Sequence, residues 1–182
     1  MMLNKDEIIQ RGLIVGGCSR ESMPDVGYNL RIATLIGKGP DGKTETYNDD
    51  FDLEPSGIAA VVSKETVKLP GDVCAYASVK TGLCREGVLA INIGIIDPGW
   101  EGPISSFLLN FGKDLYRLKN GEEFLRLTFH SLTRAKVSFF LTPTTGSHTS
   151  QEFELSLTNV SRRASWTSRR RRRREVRSLQ VI

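Results

Sequence analysis

The sequence predicts an all-β domain, and three features carry the prediction. Its apolar segments are short, roughly four to eight residues each, and rich in Val, Ile, Leu and Phe. Gly, Pro, Asn and Asp punctuate the gaps between them. No apolar pattern keeps a helical period for long. Many short strands between Gly/Pro turns are the pattern of a sandwich or barrel. A chain of 182 residues, 39% of them hydrophobic, can bury one sizeable core and leaves little for a second.

The elements follow in order. Asn4 is a suitable N-cap with Glu7 three places on, so a short helix is expected to Gln10, ended by Gly12. Leu13-Ile14-Val15 reads as a strand stopped by Gly16-Gly17. Asp25 to Ile32 is a second strand-like piece, with Gly27 allowing close backbone approach. Residues 37–48 are rich in glycine, lysine and aspartate and read as a solvated hairpin or loop. Strands are then expected at 58–62, 65–69, 73–79, 88–96, 104–111, 124–130 and 137–141. From Thr142 the composition turns to Thr, Ser and Arg, so residues 1–141 are expected to form the domain and 142–182 an arm and tail.

The charge is divided unevenly. From Ser161 onward nine arginines face one glutamate, whereas the first 160 residues carry 16 basic and 20 acidic groups. A nucleic-acid contact would therefore rest on the tail, above all on the run Arg169–Arg174. No apolar run approaches bilayer length and the N-terminus does not read as a signal sequence, so a cytoplasmic protein without membrane contact is expected. The three cysteines form no C-x-x-C pair and there are two histidines, which argues against a disulfide framework and a Cys/His zinc site.

Chemistry concentrates between residues 80 and 102. Lys80-Thr81-Gly82-Leu83-Cys84-Arg85 is a glycine-bearing turn with a hydroxyl and two cations, suited to an anion such as a phosphate. Thr81 can equally be the N-cap of a one-turn helix, and Cys84 reads as a small core residue. An apolar run follows and ends at Asp97, at the mouth of a Pro98-Gly99 turn. An acid so placed is expected to be held and partly desolvated, as a general base requires, although aspartate also caps such turns. Trp100 offers a flat surface for a sugar or base, or packing at an interface. Asn29, Asn110 and His130 read as structural hydrogen-bonding residues at strand ends.

Four segments together resemble the dCTP deaminase/dUTPase superfamily. They are Asp25-Val26-Gly27-Tyr28-Asn29-Leu30-Arg31, Lys80 to Arg85, Gly94-Ile95-Ile96-Asp97-Pro98-Gly99-Trp100-Glu101-Gly102, and Leu118 to Leu127. The opening helix and the Asp-Pro-Gly-Trp turn are nearer the deaminase branch. The resemblance implies a distorted β-barrel, a homotrimer with interfacial active sites, and a deoxypyrimidine nucleoside triphosphate as ligand, with Mg²⁺ carried mainly by its phosphates. On these residues it implies that Asp97 holds a water or the sugar 3′-hydroxyl and that Trp100 packs near the deoxyribose. The backbone of Asn92, Ile93 and Gly94 would read the pyrimidine. Lys80, Thr81 and Gly82 would meet phosphates, and Arg85 a phosphate or the catalytic water.

Two departures bear on the reaction. Phe107 stands where the deaminase branch has its general-base glutamate, and Asn29 where the first segment usually has aspartate. Phenylalanine cannot take a proton from water. The expected activity is therefore hydrolysis of dUTP to dUMP and pyrophosphate, with Asp97 and Arg85 as the catalytic pair. The alternatives are dCTP deamination and a non-catalytic nucleotide-binding or regulatory module. The glycine-rich closing segment of dUTPases has only a faint counterpart at Thr144–Ser150.

Overall fold

The computed structural model describes residues 1–133 apart from Pro40 and Asn92. The expected strand at 137–141, the division at 141/142, residues Thr144–Ser150 and Arg169–Arg174 lie outside the described residues. The rest is mostly β, as the sequence predicts. Helix α1 (Lys5–Gln10) is followed by β1 (Ile14–Gly16), β2 (Tyr28–Lys38), β3 (Thr44–Tyr47), β4 (Phe51–Leu53), β5 (Ile58–Lys68) and β6 (Val73–Val79). Then come α2 (Thr81–Arg85), β7 (Val88–Ile91), β8 (Ile95–Ile96), β9 (Glu101–Asn110), β10 (Tyr116–Leu118) and β11 (Glu123–Ser131). One curled sheet runs β7-β9-β5-β2-β11-β6-β8, with β1 added on β5 and β3 on β2; β4 and β10 form a separate ribbon.

α1 begins with the capping box the sequence predicts. Glu7 N–H donates to Asn4 Oδ1 at 3.0 Å and Asn4 N–H to Glu7 Oε2 at 2.8 Å. Gly27 has φ +84°, and a Cβ there would lie 2.2 Å from the Leu127 carbonyl oxygen, so the close approach is real. It puts β2 against β11 in the register Tyr28–Leu127 and Asn29–Arg126.

The structure corrects two boundaries. The segments at 58–62 and 65–69 are one strand, β5, with an irregular register against β9 between Val62 and Thr66. The run 88–96 is two strands with different neighbours, since β7 pairs with β9 and β8 with β6. The hairpin expected at 37–48 is found: the end of β2 pairs with β3 (Thr44–Tyr47), and Lys43 N–H donates to Asp41 Oδ1 at 2.9 Å in the connection.

The inner face of the sheet is the core. Leu30, Ile32, Leu35, Ala59, Val61, Leu108, Leu125, Leu127 and Phe129 are fully buried in it, closed below by Leu3, Ile8 and Leu13. Each large side chain so removed from water contributes roughly 1.5–3 kcal/mol. Asn110 bonds backbone, as expected, donating to the Leu53 and Asp114 carbonyls at 2.9 Å each.

One charged group lies inside. Glu65, on the irregular stretch of β5, is fully buried and accepts from the Arg31 backbone N–H at 2.9 Å and from Arg31 Nε at 2.8 Å. The Tyr28 hydroxyl donates to the same carboxylate at 3.4 Å and accepts from Ser19 N–H at 2.8 Å. Arg31 also donates to the Gly17 carbonyl. The chain from Gly17 to Ser19 is thereby tied to β2 and β5.

Candidate active site

α2 hangs from the end of β6 through Lys80, whose N–H donates to the Phe124 carbonyl at 3.0 Å. Lys80, not Thr81, is the N-cap, and it makes no side-chain cap bond. Thr81 and Gly82 are exposed in the first turn, and a Cβ at Gly82 would meet nothing within 4 Å. Thr81 and Arg85 are four apart and share a helix face. Only Leu83 of this helix is buried; Cys84 is exposed, which corrects its reading as a core residue, because its side of α2 turns away from the sheet. Gly87, with φ +77°, ends the helix, and its backbone packs so closely on Gly112 that a Cβ would fall 2.8 Å from the Gly112 nitrogen. Arg85 lines a cleft of about 320 Å³ with Lys113, Asp114 and Tyr116.

The turn has neighbours that strand alternation does not reveal. Glu123, Arg126, Thr128 and His130 all stay clear of the core face of β11. Glu123 does so because the register against β2 shifts between Glu123 and Leu125; without that bulge it would share a face with Leu125. Glu123 Oε2 lies 2.8 Å from Lys80 Nζ. Burial would raise the Glu123 pKa, but Lys80, with smaller help from the Asn29 and Ser22 side chains, holds the carboxyl below its ordinary range. Arg126 Nε donates to Asn29 Oδ1 at 3.1 Å. Lys80, Glu123, Asn29, Arg126 and Ser22 therefore converge from β6, β11, β2 and the chain before it. Asn29 is a bonded strand residue, as expected. His130 stacks edge-on against Tyr76 at 5.1 Å and meets Thr128 Oγ1 at 3.3 Å, a structural role.

Asp97 stands elsewhere. Trp100 N–H donates to the Asp97 carbonyl at 3.3 Å and Gly99 has φ +85°, the type II turn that Pro98-Gly99 demands. The turn is pinned to Leu69, just past the end of β5, with Gly99 N–H on the Leu69 carbonyl at 3.0 Å and Leu69 N–H on the Trp100 carbonyl at 2.8 Å. Trp100 is half exposed, and its indole N–H donates to the Gly102 carbonyl at 3.2 Å. The Gly94 carbonyl accepts from Ala77 N–H at 2.8 Å, and Ile93 is exposed; Asn92 is outside the described residues. Asp97 itself is exposed. The expected partial desolvation is absent from the protomer, because β8 is a two-residue edge strand with Ile95 on the surface.

The two halves do not meet within one chain. Ile96 pairs with Ala75, so Asp97 leaves β8 towards the start of β6. Lys80 follows the end of β6, and the four residue-to-residue steps from Ala75 to Val79 alone span roughly 13 Å.

A family model described as dCTP deaminase-like matches residues 40–132, half of the chain. The dCTP deaminase of Pyrococcus horikoshii is 33% identical over 131 residues, covering 70% of this chain and 81% of that protein. This chain belongs to the dCTP deaminase-like family. A probable deoxyuridine 5′-triphosphate nucleotidohydrolase of Sulfolobus islandicus rod-shaped virus 1 is 28% identical over 125 residues, 69% of this chain and 78% of that one. The solved 2′-deoxycytidine 5′-triphosphate deaminase of Agrobacterium tumefaciens superposes with a TM-score of 0.59 at 14% identity over 71% of this chain. It shows the shared fold, and this chain spans about half the length of that one (47%). In this family member, Phe107 lies on the outward face of β9, paired with Ala60 of β5 and Ile91 of β7. Among the described residues no helix is long and apolar enough to cross a membrane.

Proposed function

We propose that this family member is a cytoplasmic enzyme that hydrolyses dUTP to dUMP and pyrophosphate at sites shared between copies of itself. Two observations together carry this reading: a rigidly mounted, exposed carboxylate at Asp97, and a phenylalanine at position 107 where a general base would otherwise stand. The carboxylate can orient a water and take its proton. The water oxygen bonds to the α-phosphorus as the bond to the bridging oxygen of pyrophosphate breaks. Such transfers depend chiefly on positioning and charge neutralisation. Lys80, Thr81, Gly82 and Arg85 would take the phosphates, and Trp100 the sugar. The backbone of Asn92, Ile93 and Gly94 would take the base.

Among the described residues no three or more His, Cys, Asp or Glu side chains cluster as a metal cage. Mg²⁺ fits this donor set as an ion brought on the phosphates, where it would neutralise developing charge.

A homotrimer is part of the reading, because turn and acid stand apart in one chain. A surface for it is present. Ile36, Ala60, Phe107 and Ile91 succeed one another across β2, β5, β9 and β7 on the outward face. Leu89 and Ile91, on β7, are exposed, whereas Ile36 and Ala60 are already covered within the chain, so the open part of this face is its β7 edge.

dCTP deamination is the second reading, favoured by the likeness to the Pyrococcus enzyme. Incubation with each deoxynucleoside triphosphate and Mg²⁺, with products separated by chromatography, decides between them. dUMP with pyrophosphate from dUTP is expected. Ammonia and dUTP from dCTP would establish the second reading, and unchanged nucleotide that nevertheless binds would mark a non-catalytic module.

A further inference from the structure

Lys80 is already neutralised. Its ammonium lies 2.8 Å from Glu123, and both side chains are mostly sheltered, at 26% and 31% exposure. Arg126, three residues after Glu123 on β11, is held by Asn29. The cluster thus carries two cations and one carboxylate around an open helical turn. An incoming phosphate can use Lys80 only by displacing or sharing its partner. A carboxylate left beside a phosphate repels it strongly in a sheltered site. A divalent cation on the phosphate removes that repulsion, since a hydrated Mg²⁺ accepts a carboxylate as an outer partner.

We propose that Glu123 is a specificity-determining residue that makes this site select a metal-complexed polyphosphate over the free polyanion. The inference rests on the nucleotide-binding reading above and deepens it. Asn29 fits the same arrangement. Its amide can donate towards Glu123 while its oxygen accepts from Arg126, whereas an aspartate there would set a second carboxylate against Glu123.

The test is binding, not turnover. The probes are α,β-imido-dUTP and α,β-imido-dCTP, titrated calorimetrically into the full chain in excess MgCl₂ or in EDTA. The wild type is expected to bind on the order of tenfold tighter with Mg²⁺. Glu123→Gln is expected to bind the metal-free probe on the order of tenfold tighter than the wild type does, leaving little metal dependence. Lys80→Ala/Glu123→Gln is expected to lose that gain, because the freed lysine supplies it. Melting curves would check that each variant is folded. A Glu123→Gln protein that is folded and keeps the wild-type ratio between the two conditions overturns the inference while leaving the nucleotide reading intact. Wild type that binds neither probe in either condition overturns the nucleotide reading and the inference with it.

Discussion

Ile96 pairs with Ala75, and from that register Asp97 points away from the turn that Lys80 opens at the other end of β6. If both belong to one reaction, the turn of one protomer must serve the acid of another. Asp97→Asn and Arg85→Ala should each lower dUTP turnover by about two to four orders of magnitude. Mixed after partial unfolding and refolded together, they should regain activity. In a random mixture about a quarter of the sites join an intact turn to an intact acid. A mixture no more active than its components would place both groups in one chain.

The outward apolar face makes the same assembly testable by mass. Ile91 is exposed in the protomer and pairs with Phe107 on that face. Ile91→Asp should turn a trimer into a monomer in light scattering, since a buried unpaired carboxylate costs several kcal/mol. Gln10→Glu, an exposed position on α1, should not. Trimeric Ile91→Asp would move the contact elsewhere.

What the sequence made legible follows from what is local. The capping box of α1, the type II turn at Pro98-Gly99 and the close approach at Gly27 each depend on a few adjacent residues, and each is found. The cluster around Lys80 was not legible. Glu123 reaches it through a bulge in β11, and Arg126 through the register of β11 on β2, and no spacing in the sequence encodes either. The exposed Asp97 was misread as sheltered for a related reason. An apolar run before an acid looks the same whether it lies in the core or on a sheet edge awaiting a neighbour. Cys84 and the split of 88–96 into two strands were missed because helix facing and strand partners are set by distant segments.

The buried carboxylate predicts a pronounced asymmetry between single and paired changes. Glu65 is fully buried and its charge is met by Arg31. Arg31→Met alone strands that charge and should lower stability by about 3–5 kcal/mol in urea unfolding. Arg31→Met with Glu65→Leu should recover most of the loss. A double variant as unstable as the single one would show that Glu65 matters through the Tyr28 and backbone bonds instead.

Tyr28 gives the pH dependence its sign. Burial pushes its phenol up to about 12, the Ser19 N–H opposes this, and the Glu65 charge adds to it. The unfolded chain loses this proton near pH 10, whereas the folded chain keeps it until about pH 12. Between those values the folded state binds more protons, so stability must fall as pH rises. Below pH 10 the contribution is fully present; by about pH 12 it is gone. Urea midpoints of the wild type should therefore drop across this window more steeply than those of Tyr28→Phe, which has no proton to lose. Arg31 remains protonated through the window, its pKa raised by Glu65 despite the opposing effect of burial, so the difference between the two proteins reports the phenol. Parallel curves for wild type and Tyr28→Phe would mean that the hydroxyl is reached by water, and that the tie from Gly17 to Ser19 onto β2 opens before the barrel does.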